Sequence, residues 1–319
     1  MIVKCNDADI SQYVSTIKWS GSSSQVSRQL EVSIINSPYD SNIKSLGIKP
    51  GYILKLLTDD NTLLIQAMIY NRTRSSDTGT ITYKAYDGLN RLIKSNGTYN
   101  FKNTTPEKIT IKICNEIQMK TGNIIKTNVP IKSMLCENEG LYTIIMKGYT
   151  KAYKVNGYKY MPLMIGDKLS VIRRGEIVTD FVLSDKYNII SSKYEEDISN
   201  IVNKVKIYNE NHVQVGEVKN ESSISSYGIF QDSMTKEDGE NSVTTAKSML
   251  QGESQTLNVS ALGNIACISG YGVRLIDSVT GMDGYFWIES DTHTWSNGTY
   301  TMDLELAFKN QMDEQESDN

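Results

Sequence analysis

Histidine is nearly missing from this sequence: the 319 residues contain two, His212 and His293. Neither stands in an H-E-x-x-H or cysteine-rich context, so a zinc centre has no ligand set to draw on. Cysteine is as sparse, at positions 5, 114, 136 and 267 with no C-x-x-C spacing. That excludes a zinc ribbon and a disulfide framework and leaves reduced, partly buried thiols. No stretch approaches the roughly 18 apolar residues of a membrane span, because the richest, Thr62 to Tyr70, soon meets Arg72 and Arg74. The first residues lack a basic and then an apolar region, so no secretion signal is expected and synthesis in the cytoplasm follows. Positive charge is not in excess: 33 Lys and Arg face 37 Asp and Glu, for a net charge of −4. Nothing global draws such a chain to nucleic acid or anionic lipid.

What is present is the material of a globular protein, with 39% hydrophobic and 22% charged residues, long enough for two or three domains. Tyrosine, at 19, outnumbers the 5 phenylalanines and 3 tryptophans. This balance suits half-wet sheets and interfaces better than dry cores.

Period-two alternation with Gly, Asn and Asp at the joins predicts short antiparallel strands over residues 1–100. Leu30, Val32 and Ile34 share one face, as do Tyr52, Leu54 and Leu56, and Ile81, Tyr83 and Ala85. Ser75 to Gly79 reads as a hairpin turn. Over 104–122 the period becomes helical, with Thr105 as cap, Pro106 in the first turn, Ile109, Ile113 and Ile117 as the buried stripe, and Gly122 after the last turn. A second helix is expected from Tyr142 to about Tyr153, with strands near 158–164, 168–173 and 176–183. Strands return over 202–208, 213–218, 256–261, 272–277, 285–290 and 300–308, interrupted by a helix from Ser242 to about Gln251. The fold class is therefore mainly β with an α+β insert. Two antiparallel β-barrel domains, 1–100 and 189–309, flank an α/β middle region, 101–188, and 310–319 is an acidic disordered tail.

Residues 51–87 align without a gap with 270–306. Gly51 meets Gly270, Tyr52 meets Tyr271, Leu56 meets Leu275, Ile69 meets Ile288, Thr73 meets Thr292, Gly79 meets Gly298, Thr80 meets Thr299 and Thr82 meets Thr301. The matched positions include the turn glycine of the last hairpin and alternating strand positions on both sides of it, where geometry restricts the residue type. Upstream, Leu30 to Ser33 pairs with Leu257 to Ser260 after a gap. We read this as an internal duplication of one β-domain, which lets three chains present six similar positions in a ring.

Candidate sites are poor by comparison. His293 falls on a hairpin arm, as a strand residue or interface contact. Glu195, Glu196 and Asp197, Glu237, Asp238 and Glu240, and Glu137 with Glu139 are acid clusters, but they lie in polar segments expected to be solvated, whereas a glycosidase needs two carboxyls flanking a cleft. Asp277 to Gly284 lacks the ligand density of a calcium loop and reads as a hairpin. Gly270-Tyr271-Gly272 precedes a strand, so the dinucleotide fingerprint fails on context. Lys147 to Tyr160 mixes four lysines with four tyrosines, the composition of a nucleic-acid stacking platform, but half of it has a helical period and an inter-subunit contact is the better reading. No catalytic, cofactor-binding or metal-binding residue is assigned.

The hairpin from Trp287 to Leu306, with its Ser-Asp-x-His-x-aromatic, Asn-Gly and Thr-Met-x-Leu elements, resembles the XkdQ/YqbQ-like baseplate hub proteins of contractile phage tails and phage-tail-like bacteriocins. Asn200 to Tyr208, Thr105 to Ile109 and the domain order are similar to that family too, so the resemblance covers nearly the whole chain. It implies that both β-domains are relatives of the tail-tube subunit and that the protein is a non-enzymatic structural hub. A homotrimer would adapt the hexameric tail tube to the threefold central spike and contact other baseplate proteins. Assembly into a phage or phage-like tail follows, without membrane, cofactor or specific nucleic acid. The competing expectations are a tail-associated peptidoglycan hydrolase and a cell-surface glycan-binding protein.

Overall fold

Leu30, Val32 and Ile34 are buried while the residues between them are half exposed, as a period of two dictates for a sheet with one face on a core. The computed structural model describes residues 1–23, 26–36, 46–75, 79–236 and 241–315. They form two units, Met1–Ser192 with Asn258–Asn319, and Lys193–Leu257. Residues 193–257, read from the sequence as part of the second β-domain, form the second unit, an insertion in the sequence of the first.

The strands of the amino-terminal part are β1 (Ile2–Cys5), β2 (Ala8–Asp9), β3 (Val14–Ser22), β4 (Gln29–Ile35), β5 (Ile53–Leu57), β6 (Leu63–Arg74) and β7 (Thr80–Tyr86). The middle region contains α1 (Leu89–Ile93), β8 (Asn96–Thr104), α2 (Pro106–Glu116), β9 (Thr121–Ile124), β10 (Ile131–Gly140), α3 (Leu141–Asn156), β11 (Tyr160–Ile165) and β12 (Lys168–Arg173). Then come β13 (Ile177–Ser184) and β14 (Ile189–Asp197). The insertion carries β15 (Lys204–Tyr208), β16 (Gln214–Lys219), α4 (Glu221–Tyr227), β17 (Gln231–Thr235) and α5 (Ser242–Ser248). The chain closes with β18 (Ser254–Leu262), β19 (Gly272–Asp277), β20 (Met282–Ser296) and β21 (Thr299–Ala307). The protein is mainly β, with one large, curled, almost wholly antiparallel sheet and small sheets besides.

The duplication is visible in that sheet. Strand order β4-β7-β6-β5 in the first repeat recurs as β18-β21-β20-β19 in the second. Gly51 and Gly270 both have positive φ, 90° and 97°, a region open to glycine. Gly51 donates its N–H to the Ile69 carbonyl at 2.8 Å, and Gly270 to the Ile288 carbonyl at 3.1 Å. The ladder then breaks register between Ile69 and Asn71 in one repeat and between Ile288 and Ser290 in the other, so a bulge has been copied as well. The hairpins differ by a slip of two residues: Thr73 opposes Thr82, but Thr292 opposes Asp303. A slip of two keeps every side chain on its face. The second hairpin turns on Asn297 and Gly298, both at positive φ, as a two-residue turn demands. Residues 76–78 of the first turn lie outside the described residues.

Two separate barrels were expected, and the repeats instead share a sheet. β20 outruns β19, and its far half, Ser290–Ser296, pairs antiparallel with β3, which pairs with β4 on its other edge. Both edges of β3 are therefore occupied, one by each repeat.

The middle region buries Ile109, Ile113, Ile144, Ile145, Tyr149 and Val171 in a core of its own. Helix α2 stops at Glu116, short of the expected Gly122. Gln118 takes φ +53° and donates to the Asn115 carbonyl, while Met119 donates to the Cys114 carbonyl, closing a Schellman motif without glycine. Gly122 lies in β9, where an added Cβ would come within 2.5 Å of Ser170 Oγ.

In the insertion, β15 is flanked by β16 and β17, and Val205, Ile207 and Ala246 form a small core. Neither α1 nor α4 was expected, since neither spans two turns of apolar period. Asn220 caps α4 by accepting from the Ser223 N–H at 3.1 Å.

The solvated tail needs correction over 310–315. Asn310 exchanges two hydrogen bonds with buried Arg174, Asp313 accepts from the Tyr142 hydroxyl at 3.0 Å, and the Gln315 N–H donates to Thr150 at 3.0 Å. The acid-rich composition hid side chains that satisfy buried donors.

Candidate functional site

Each large-sheet strand shows one face to the core and one away from it, and the outward face is lined with hydroxyls. Across the seam between repeats, one row runs Thr301, Thr294, Lys18, Glu31, Lys84, Asn71, and the next runs Thr299, Ser296, Thr16, Ser33, Thr82, Thr73. Thr16 bonds Ser296 at 3.3 Å, and Ser33 bonds Thr82 at 3.1 Å. Lys84 lies 3.5 Å from Glu31, which pairs these two charges across strands. Short hydroxyls, four of them bonded in pairs, and one cross-strand ion pair make this a polar face.

Behind the seam, on the core side, lies a cluster of buried polar groups. Arg28, next to β4, forms a two-pronged ion pair with Asp291 on β20; one prong measures 2.9 Å, and the side chains are 5% and 0% exposed. Asp291 also accepts from the Ser269 N–H at 2.7 Å. Burial alone would raise the Asp291 carboxyl, but the Arg28 guanidinium and the His293 ring outweigh it and hold it well below the usual carboxylate range. The guanidinium lies 4.3 Å from the centre of the Trp19 ring. Gly21, opposite Asp291, makes room: a Cβ there would sit 2.4 Å from an Arg28 nitrogen.

His293 is fully buried. Its Nε2 lies 3.1 Å from the Cys267 carbonyl oxygen and 3.4 Å from Asp291, and its Nδ1 lies 2.9 Å from the Tyr300 hydroxyl. Nε2 thus faces two acceptors, the Cys267 carbonyl and the Asp291 carboxylate, and Nδ1 faces the Tyr300 hydroxyl. It is a strand residue sealed in the joint between repeats.

The remaining sequence candidates scatter. His212 is exposed on the turn between β15 and β16. Glu195 pairs with Lys193, Glu196 accepts from Tyr194, and Asp197 accepts from Ser199, all at the surface. Glu139 pairs with Lys147 at 2.5 Å. Glu237, Asp238 and Glu240 lie outside the described residues. Asp277 is buried at the end of β19, accepting from Thr280 and the Val279 N–H of the turn that follows. Within Lys147 to Tyr160, Lys147, Tyr149 and Tyr160 are buried, while Val155 and Tyr158 are exposed, so the lysines and tyrosines do not form one surface platform. The periodicity of α3 turns Lys147 and Tyr149 inward, and Tyr160 is buried as the first residue of β11. All four cysteines are free and buried, and burial pushes the Cys267 thiol up to about 12. No group of three or more metal-ligating side chains comes together among the described residues.

The Arg28–Asp291 joint was missed at the sequence level. Its one available signal was the Asp-x-His alternation on a strand arm, which places both side chains on one face.

The fold is thus that of a duplicated β-sheet protein whose repeats are joined edge to edge. Residues 17–307 match the YQBQ-like family, and the chain belongs to it. It is 25% identical over 300 residues to the phage-like element PBSX protein XkdQ of Bacillus subtilis (strain 168), covering 91% of each chain. Its fold is similar to that of the 43 kDa tail protein of prophage MuSo2 from Shewanella oneidensis, with a TM-score of 0.70 at 14% identity, over 96% of this chain and 97% of that one. It is also similar to the E. coli c3393 protein, described as a component of the type VI secretion system resembling the T4 tail proteins gp27 and gp5. There the TM-score is 0.54 at 9% identity, over 96% of this chain and 75% of that one.

Proposed function

We propose that this chain is the structural hub subunit of a contractile tail or a related phage-like particle. Three copies form a ring of six tube-like repeats, which matches a hexameric tail tube on one side and a threefold spike on the other, with other baseplate proteins at the rim. The observation that carries this reading is the repeated strand order, β4-β7-β6-β5 and β18-β21-β20-β19, with the two copies already joined through β3 and β20. Symmetry adaptation needs such a unit, because two near-equivalent positions in each of three chains make six. The hydroxyl-rich face supports it too: turned inward, it would line a channel that lets a passing polymer slide.

The function is mechanical and uses no cofactor. Peptidoglycan hydrolysis gains no support from Glu139, Glu195, Glu196 and Asp197, which are engaged with lysine, tyrosine or serine. Light scattering of the purified chain at rising concentration, together with negative-stain images of particles tagged on this subunit, tests the reading. A threefold assembly with a central opening, located at the end of the tube, is expected. A label along the tail shaft, or murein-degrading activity lost on substitution of one carboxylate, would overturn it.

A further inference from the structure

Trp19 is 4% exposed and carries the Arg28 guanidinium over its ring, yet its Nε1–H has no acceptor among the described residues. Buried donors are almost always paired, because an unmade bond leaves the full desolvation of the group uncompensated. The indole does not end in solid packing. It lines a cleft of about 450 Å³, within the roughly 300–1,000 Å³ usual for ligand pockets. The walls are apolar: Ile165, Ile177 and Ile265 stand exposed around the cleft, and Leu163 and Val178 are buried in it.

Strand edges bound the cleft as well. Residues 62–64, 163–165 and 176–179 line it consecutively, whereas a strand that offers only its face contributes alternate residues. β11 and β13, which supply most of the last two runs, each pair with one strand only, β12 and β19. The pairing of β13 with β19 also jumps from Ile177 to Val182, and Asp180 takes φ +60° within the jump. Val178 and Thr179 therefore present main chain that the β19 ladder does not use. One charge stands at the rim: Glu176 is exposed and has no ion-pair partner among the described residues.

We propose that this cleft binds an extended peptide segment of a partner protein, added as a strand beside β13. An aliphatic side chain lies between Ile165, Ile177 and Ile265, a main-chain carbonyl accepts from the Trp19 Nε1–H, and a lysine or arginine meets Glu176. Each part answers one observation. In this mode of recognition main-chain pairing supplies affinity and side-chain pockets supply selectivity. A small apolar molecule would cover the walls and leave the strand edge and Glu176 unanswered. The inference does not depend on three chains forming a ring, because every group named belongs to one unit of one chain.

The probe is a set of acetylated, amidated pentapeptides in which leucine or valine alternates with serine, lysine or glutamate, titrated into the full chain. Heteronuclear NMR follows the indole N–H signals of the 3 tryptophans, with Trp287→Phe and Trp295→Phe identifying Trp19 by elimination. Lysine-bearing peptides should saturate at one per chain and move the Trp19 indole proton downfield, the mark of a new hydrogen bond. Glu176→Lys should weaken them about tenfold and turn the preference toward glutamate-bearing peptides. Ile165→Asp, at a position already exposed, should abolish binding with little change in Tm. N-methylation of the peptide's leucine amides should also abolish it, since that removes strand pairing alone. Saturation by the N-methylated peptide would overturn the strand addition and leave apolar burial only. A Trp19 signal that moves with protein concentration rather than with peptide would give the cleft to a second copy and overturn the partner peptide. No saturation by any member of the set at millimolar concentration, or saturation that leaves the Trp19 proton unmoved and ignores Glu176→Lys, would overturn the site itself. None of these outcomes bears on the ring, which scattering and imaging test separately.

Discussion

Arg28 and Asp291 stand 263 residues apart in the chain and face each other as a buried ion pair, joining the start of one repeat's strand to the middle of the other's. A pair this deep contributes little compared with a well-packed apolar pair, but removal of one partner leaves a charge with nowhere to go.

Asp291→Ala or Arg28→Ala should therefore destabilise the protein by about 3–5 kcal/mol. Gly21→Ala, which only presses a methyl against the guanidinium, should have a smaller effect of about 1–3 kcal/mol. Urea unfolding followed by tryptophan fluorescence reads both, since Trp19 lies under the Arg28 side chain.

Asp87 gives stability a pH dependence of unusual sign. Burial pushes its carboxyl up to about 6, against hydrogen bonds from the Ser27 hydroxyl and the N–H groups of Arg28 and Leu89. Because the folded state holds this proton more tightly than the unfolded one, the stability tied to it is complete below about pH 4 and is lost as pH rises through 6. Asp87→Asn should remove that slope. The difference between wild-type and variant unfolding free energies, measured from pH 4 to 7.5, should change by about 3 kcal/mol, with the wild type losing stability as pH rises.

The paired glycines separate backbone strain from crowding. At Gly51 an added methyl meets nothing within 4 Å, whereas at Gly270 it would lie 2.6 Å from the Met161 sulfur. Gly51→Ala should lose about 1–2 kcal/mol, the intrinsic strain of the left-handed region. Gly270→Ala should lose at least about 1 kcal/mol more. Thermal denaturation of the two single variants makes the comparison.

Truncation after Lys309 should not be silent. It removes both Asn310 bonds to Arg174, the acceptor for Tyr142 and the donor to Thr150, so a loss of at least about 2 kcal/mol is expected by chemical denaturation.

The repeat was legible in the sequence because turn glycines and alternating strand residues are local signals, and the structure keeps them in place from Gly51 to Thr73 and from Gly270 to Thr292, beyond which the hairpins slip by two residues. The end of α2 was not legible, because Gln118 occupies a position that usually advertises itself as glycine. The insertion escaped notice because 193–257 has the same strand-like alternation as its surroundings, and only long-range pairing separates it. The seam was hidden for a related reason. Nothing within reach of Arg28 in the sequence announces Asp291, and an Asp-x-His on a strand reads the same whether it faces water or a guanidinium. The hydroxyl face could be read as polar strand positions, but its continuity across two repeats appears only once β3 is seen to serve both.

β20 has 15 residues, about 50 Å when extended, and touches both repeats: β19 and β21 flank it in one, and β3 takes it into the other. It acts as a girder rather than a hinge. A pull along its length loads the whole seam in shear, so the rungs between Ser290 and Ser296 must fail together instead of peeling one by one, and the two halves will transmit a jolt as one stiff plate.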